Sequence, residues 1–164
     1  MVKSNENSTL FYFQLAKIAF DAGLYGACTI YCACALETFL TNFAISHPLE
    51  IEKIKGGEVR LSRNELLNIA EHYKIIDSTT RRKCKQIFSI RDGHAHYHLG
   101  LWKKTFNKLK STGVTEVHSM ELAQLVLEDT YEIFMEILSQ LRKAARTGDS
   151  SAKFLLEKLE FTLI

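Results

Sequence analysis

Proline is nearly missing from this chain, one residue in 164, and glycine is modest at eight. That is too little turn chemistry for the many tight reversals of an all-β sandwich or barrel. Collagen-like, low-complexity and disordered classes are excluded as well. Cysteine is sparse at four residues, so no disulfide framework is available. Cys28, Cys32 and Cys34 crowd one segment and Cys84 stands apart, which is not the two well-spaced pairs of a zinc site. Small, buried, reduced thiols are the expected role, pointing to a reducing, cytoplasmic compartment. Long hydrophobic runs are lacking too. The uncharged stretch 22–36 falls short of the roughly 20 residues of a membrane span and is closed by Glu37, so no membrane association is expected. The polar start, Met1 to Asn7, and Lys17 inside the first apolar run give no secretory signal. Walker, G-x-G-x-x-G and serine or cysteine hydrolase signatures are absent, and no cofactor is implied.

What is present is helical periodicity. The length fits one domain spanning 1–164, with 46% apolar and 24% charged residues, ordinary values for a globular chain. Asn7 or Ser8 can cap a first helix reaching Ala22, with Leu10, Phe13 and Phe20 marking its turns. Gly23 and Gly26 then allow a bend into a second helix, apolar nearly all round, that stops before His47-Pro48. Residues 48–61 read as a loop. Ser62-Arg-Asn-Glu65 is a capping-box pattern opening a short third helix. Asp77 or Ser78 can cap a fourth, carrying Cys84, Ile87, Phe88 and Arg91 at helical spacing. Residues 99–118 are ambiguous between helix and loop. Ser119 opens a long fifth helix, Gly148-Asp149 breaks it, and a short helix follows over 151–160. The expected fold is an all-α antiparallel bundle of five to six helices.

The formal net charge is +2, but it is unevenly spread. Residues 78–115 hold nine cations and one acid, a local charge of +8, while the rest of the chain carries −6. A solvated charged face explains such a stretch, and so does a track for a polyanion. Trp102 and Phe106 lie among Lys103, Lys104, Lys108 and Lys110, the mixture that meets phosphates and stacks on unpaired bases. Arg82 and Lys85 extend the track upstream.

The segment Ile90-Arg-Asp-Gly-His-Ala-His-Tyr-His98 gathers three of the six histidines beside an arginine. On a helical wheel Arg91 lies about 20° from Cys84, about 40° from Ile87 and about 60° from Phe88, so it points toward the core or a cleft. A buried guanidinium needs an anionic partner. Glu37, the only acid between Asp21 and Glu50, is the expected one. The histidines admit three roles. His94 and His98, at i and i+4, have metal-ligand spacing, but no further ligands stand at a diagnostic distance. They can be satisfied polar residues on a helix flank. They can also move protons near neutrality, while an arginine stabilises charge on a phosphoryl group. Histidine with arginine and no metal set suits RNA cleavage by its own 2′-hydroxyl.

Arg91-Asp92-Gly93-His94-Ala95-His96 resembles the R-x4-6-H motif of the HEPN family, which often places Asn, Asp or His after the arginine. The run Gly26 to Glu37 resembles the HEPN helix that ends in an Ala-Leu-Glu-type segment, and the motif likewise falls on the fourth helix. The resemblance implies a helical bundle, usually a homodimer, in which two such motifs face each other across a cleft. It implies a metal-independent endoribonuclease of host-defence, toxin–antitoxin or RNA-processing type. The alternative it implies is an inactive module that binds RNA, a nucleotide or a protein partner. A toxin silenced by a separate antitoxin protein also belongs to this range. Carried over, Arg91 would stabilise the scissile phosphate, His96 would act as acid or base, Asp92 would position one of them, and Glu37 would match the family's acid on the second helix. On an ideal helix His96 lies about 140° from Arg91, so they converge through a bend at Gly93 or across a dimer, and His94, about 60° away, is a substitute.

If the 78–115 stretch is the track, RNA binding weakens steeply with salt. Exchanging Lys103 and Lys104 together for glutamate then weakens it for all RNA sequences alike, as measured by fluorescence anisotropy.

Overall fold

The computed structural model describes residues 8–47, 50, 61–95 and 120–163. Six helices lie among them: α1 (Ser8–Asp21), α2 (Tyr25–Ile45), α3 (Arg63–His72), α4 (Ser78–Ala95), α5 (Met120–Arg146) and α6 (Ser150–Leu163). The described residues hold no strand, and the all-α bundle expected from the periodicity is the fold observed. The expected loop at 48–61 and the ambiguous stretch 99–118 lie almost entirely outside the described residues.

α2 is the hub. It packs against α1, α3, α4 and α5, and α4 also meets α3 and α5. Its inner faces carry small side chains, among them Cys28, Cys32, Ala33, Ala35 and Ala44, all buried. Small residues let helix axes approach to the short end of the usual 8–10 Å. Larger groups take over toward the C-terminal half, where Leu36, Phe39, Leu40 and Phe43 fill the bundle. Phe134 of α5 lies at 1% exposure and meets Phe13 of α1 and Phe39 of α2 edge-on, with ring centroids 5.8 and 6.1 Å apart. α2 is long and apolar enough to cross a membrane by length and composition. In this fold 56% of its most apolar stretch is buried inside the bundle.

Three helix ends close by the same device. After α1, Leu24 N–H donates to Ala19 C=O at 2.8 Å around Gly23, whose φ is +75°. After α5, Asp149 N–H donates to Ala144 C=O at 3.3 Å around Gly148, at φ +92°. These are six-to-one closures around a left-handed residue. After α3 the left-handed position holds Lys74, at φ +59°, and Ile75 N–H donates to Ala70 C=O at 3.1 Å. The starts are equally explicit. Asp77 accepts from Thr80 N–H at 2.7 Å to cap α4, and Asp149 accepts from Ala152 N–H at 3.0 Å to cap α6.

Cys28, Cys32 and Cys84 are buried, and Cys34 is half-buried; all four are free thiols. Cys28 and Cys32 share a hydrogen bond that draws the first thiol's pKa down and helps push the second well up. Burial pushes Cys84 up to about 12.

On the α4–α5 seam, Lys83 donates to Glu132 at 2.7 Å and lies 3.8 Å from Asp129. Burial pushes the Asp129 carboxyl up, Lys83 pulls the other way, and Glu132 and Glu128 add to the rise. A carboxyl whose folded pKa is raised binds its proton more tightly in the native state, so stability grows as pH falls through that pKa. Asp129→Asn removes the penalty of the ionised form. It raises the melting temperature at neutral pH, and the gain fades in mild acid as the parent's Asp129 protonates; thermal melts at the two pH values read this.

Candidate functional site

The site is built from three helices. α3 starts at Ser62, whose hydroxyl accepts from Glu65 N–H at 3.2 Å while Glu65 Oε2 accepts from Ser62 N–H at 2.6 Å. This capping box is the one the sequence announced. It fixes the point at which Arg63, the first residue of α3, leaves the backbone. Arg63 Nη1 donates to both oxygens of Asp92, at 2.9 and 2.8 Å. Its Nε donates to Glu37 Oε2 at 3.4 Å, and its guanidinium carbon lies 5.0 Å above the Phe88 ring. One planar cation therefore ties α2, α3 and α4 together, with an aromatic face beneath it. Burial works against the Arg63 charge, but the bond to Asp92 and the charges of Glu37 and Asp92 outweigh it, and the pKa rises.

Arg91 takes the outer place. Its Nη1 donates to Asp92 Oδ1 at 3.2 Å, and 30% of its side chain is exposed. Among the described residues Asp92 is its one hydrogen-bonding partner. The expected pairing of Glu37 with Arg91 is corrected here: Glu37 bonds Arg63, and Arg91 joins the cluster through Asp92. The reason is register. The capped start of α3 delivers a guanidinium between α2 and α4, and that group meets the Glu37 carboxylate first. Cys34 of α2 lies within the field of the same charges. Burial raises its pKa, Arg91 and Arg63 oppose the rise, and Glu37 adds to it. Asp92 sits in the last turn of α4, where the helix dipole disfavours an anion; its two arginines offset that.

Gly93 lies within α4 and is buried, and the helix carries the motif on to Ala95. His94 belongs to that last turn, but its side chain lies outside the described residues, as do His96, His98, Trp102, Lys103 and Lys104. Among the described residues no group of three His, Cys, Asp or Glu side chains is arranged to hold a metal ion.

The upstream cations divide in two. Arg81 donates to Glu71 at 2.8 Å and Lys83 to Glu132, so both are neutralised within the bundle. Arg82 and Lys85 are exposed, with no recorded ion pair among the described residues. They are not part of the Arg91 cluster. Nine and six residues earlier on α4, they stand about 13 and 9 Å up the axis and on other faces. Arg63 is the functional candidate the sequence reading passed over. Its signal was the alignment of a capping box with the apolar stripe of α3, which fixes that residue's direction.

No family model, curated protein or solved structure matches the chain.

Because Glu37 keeps its partner when Arg91 is lost, Arg91→Ala melts within about 0.5 kcal/mol of the parent. Arg63→Ala takes the described partner from Glu37 and leaves Asp92 with Arg91 alone, and costs about 1–2 kcal/mol after allowance for solvent screening. Urea unfolding of the two variants reads the difference.

Proposed function

We propose that this chain is a metal-independent endoribonuclease of the HEPN type, acting as a homodimer. The observation that carries the reading is the Arg91–Asp92 pair at the C-terminal end of α4. There a guanidinium with a single described partner is held half-exposed, backed by Arg63 and Glu37. Such a group suits a phosphodiester, because a planar cation can donate two parallel bonds to phosphate oxygens.

In this reading the 2′-hydroxyl beside the scissile phosphate is the nucleophile. Its oxygen bonds to phosphorus, the P–O5′ bond breaks, and the products are a 2′,3′-cyclic phosphate and a 5′-hydroxyl. Arg91 offsets the charge that builds on the phosphoryl oxygens in the transition state. Asp92 holds Arg91 in place. His96, with His94 as the substitute, transfers the protons. Lys103, Lys104 and Trp102 hold the strand, and Arg82 and Lys85 extend the charge along α4.

Support for a second copy comes from the surface. Part of the apolar surface of α2 is buried within the chain, but Ile45 of α2, Phe11 and Ile18 of α1, Tyr131 and Met135 of α5 and Phe154 of α6 stand exposed. An antitoxin protein is the other partner such a surface suits. The cytoplasm is the proposed compartment, where RNA substrates and reduced thiols coincide.

The test is incubation with mixed RNA in EDTA. Cleavage leaving 2′,3′-cyclic ends is expected, and His96→Ala lowers it by about 10²–10⁴-fold while the fold is kept. Arg91→Ala also abolishes cutting. If the three variants His94→Ala, His96→Ala and His98→Ala all cut like the parent, or the parent binds RNA and never cuts it, the binding module replaces the enzyme.

A further inference from the structure

Asp92 is shared unequally between two arginines. Arg63 Nη1 reaches both of its oxygens, at 2.9 and 2.8 Å, and Arg91 Nη1 reaches one, at 3.2 Å. The oxygen that Arg91 uses, Oδ1, already accepts from Arg63. Arg63 is further fixed by Glu37 and by the Phe88 face, whereas Arg91 has no second polar partner among the described residues. Two carboxylates and two guanidiniums make the cluster neutral as a whole. Among the described residues the bonding is lopsided: Arg63 meets two carboxylates and Arg91 meets one.

We infer that Arg63 is a positioning residue that keeps Arg91 available to a phosphate, by holding the Asp92 carboxylate that would otherwise close on Arg91. Arg91 and Asp92 are adjacent in sequence and already paired through one oxygen at 3.2 Å, and the pair tightens as soon as the competing cation is removed. A guanidinium in a full two-pronged pair with its own neighbour has fewer donors and less charge to offer a ligand. Glu37 has a matching part, because it anchors the far side of Arg63 and sets how Arg63 approaches Asp92. The inference rests on the reading of Arg91 as a phosphate-binding side chain, but it concerns how that side chain is kept open and is measured without RNA.

The experiment is phenylglyoxal modification of the full chain, with labelling of Arg91 followed by peptide mass spectrometry. The reagent attacks guanidinium groups and is slowed by a tight carboxylate pair. In the parent, Arg91 labels readily. In Arg63→Gln its labelling slows by about tenfold, in the range of coupling between contacting charged groups. In Arg63→Gln with Asp92→Asn it returns to the parent rate, because no carboxylate remains to close on Arg91. A merely structural role for Arg63 predicts the opposite: loosening of α3 exposes Arg91, its labelling speeds up, and the second substitution brings no return. Parent-rate labelling in Arg63→Gln, or slow labelling that persists in the double variant, overturns the inference. If Arg63→Gln fails to fold, Arg63→Lys carries the test. That variant keeps the charge and loses the fork, so Arg91 labels more slowly than in the parent and Asp92→Asn restores it; absence of either change is decisive against. Binding of an uncleavable 2′-O-methyl oligoribonucleotide separates this inference from the nuclease reading. If the labelling order holds and the parent binds no RNA, the nuclease reading fails and the positioning role stands. If RNA binds through Arg91 and the labelling order is absent, the positioning role fails alone.

Discussion

The packing of four helices against α2 is the constraint on which this fold depends. Cys28, Cys32, Ala33 and Ala35 lie at 0% exposure in that helix, and larger side chains there would push its neighbours outward. Tight packing along the small-residue half leaves little freedom in how α3 and α4 meet the other half. Glu37 appears on α2 where the small residues give way to Phe39, Leu40 and Phe43. There the carboxylate is only partly exposed, and Arg63 from the neighbouring helix pairs with it. The packing of α2 and the chemistry at Asp92 are therefore linked through a single guanidinium.

Much of this was legible in the amino-acid order. The helix breaks at Gly23 and Gly148, the capping box at Ser62 and Glu65, the cap at Asp77 and the apolar stripe of α5 are local signals, each set within a few residues, and each is seen in the fold. Placing Arg91 near the apolar stripe of α4 was right in kind, since the residue is half-buried. Naming its partner was another matter. Glu37 and Arg63 are 26 residues apart in the chain, and Arg63 and Asp92 are 29 apart. No periodicity within one helix encodes such a meeting. It follows from how α3 packs against both α2 and α4. Arg63 also sat inside a capping motif, where an exposed role is the ordinary expectation for the residue after the cap.

The basic stretch gives a similar lesson about charge. Arg81, Arg82, Lys83 and Lys85 read as one cluster in sequence, but helical geometry sends alternate members to different surfaces. Arg81 reaches α3 and Lys83 reaches α5, where both meet acids. Only Arg82 and Lys85 remain in solvent to contribute to a surface potential. Much of the positive charge counted along α4 is thus interhelical adhesion, and charge open to a polyanion is a smaller share than the sequence tally suggests.

The cysteines make the bundle a self-reporting object. Cys28, Cys32 and Cys84 are at most 1% exposed, on two helices of the central packing. A thiol reagent reaches them only when α2 or α4 opens, so their modification rate is a clock for opening of the bundle. Cys34 lies half-buried beside the arginine cluster and reacts without such opening. One alkylation time course, read peptide by peptide, therefore separates events at the site from loosening of the protein that carries it.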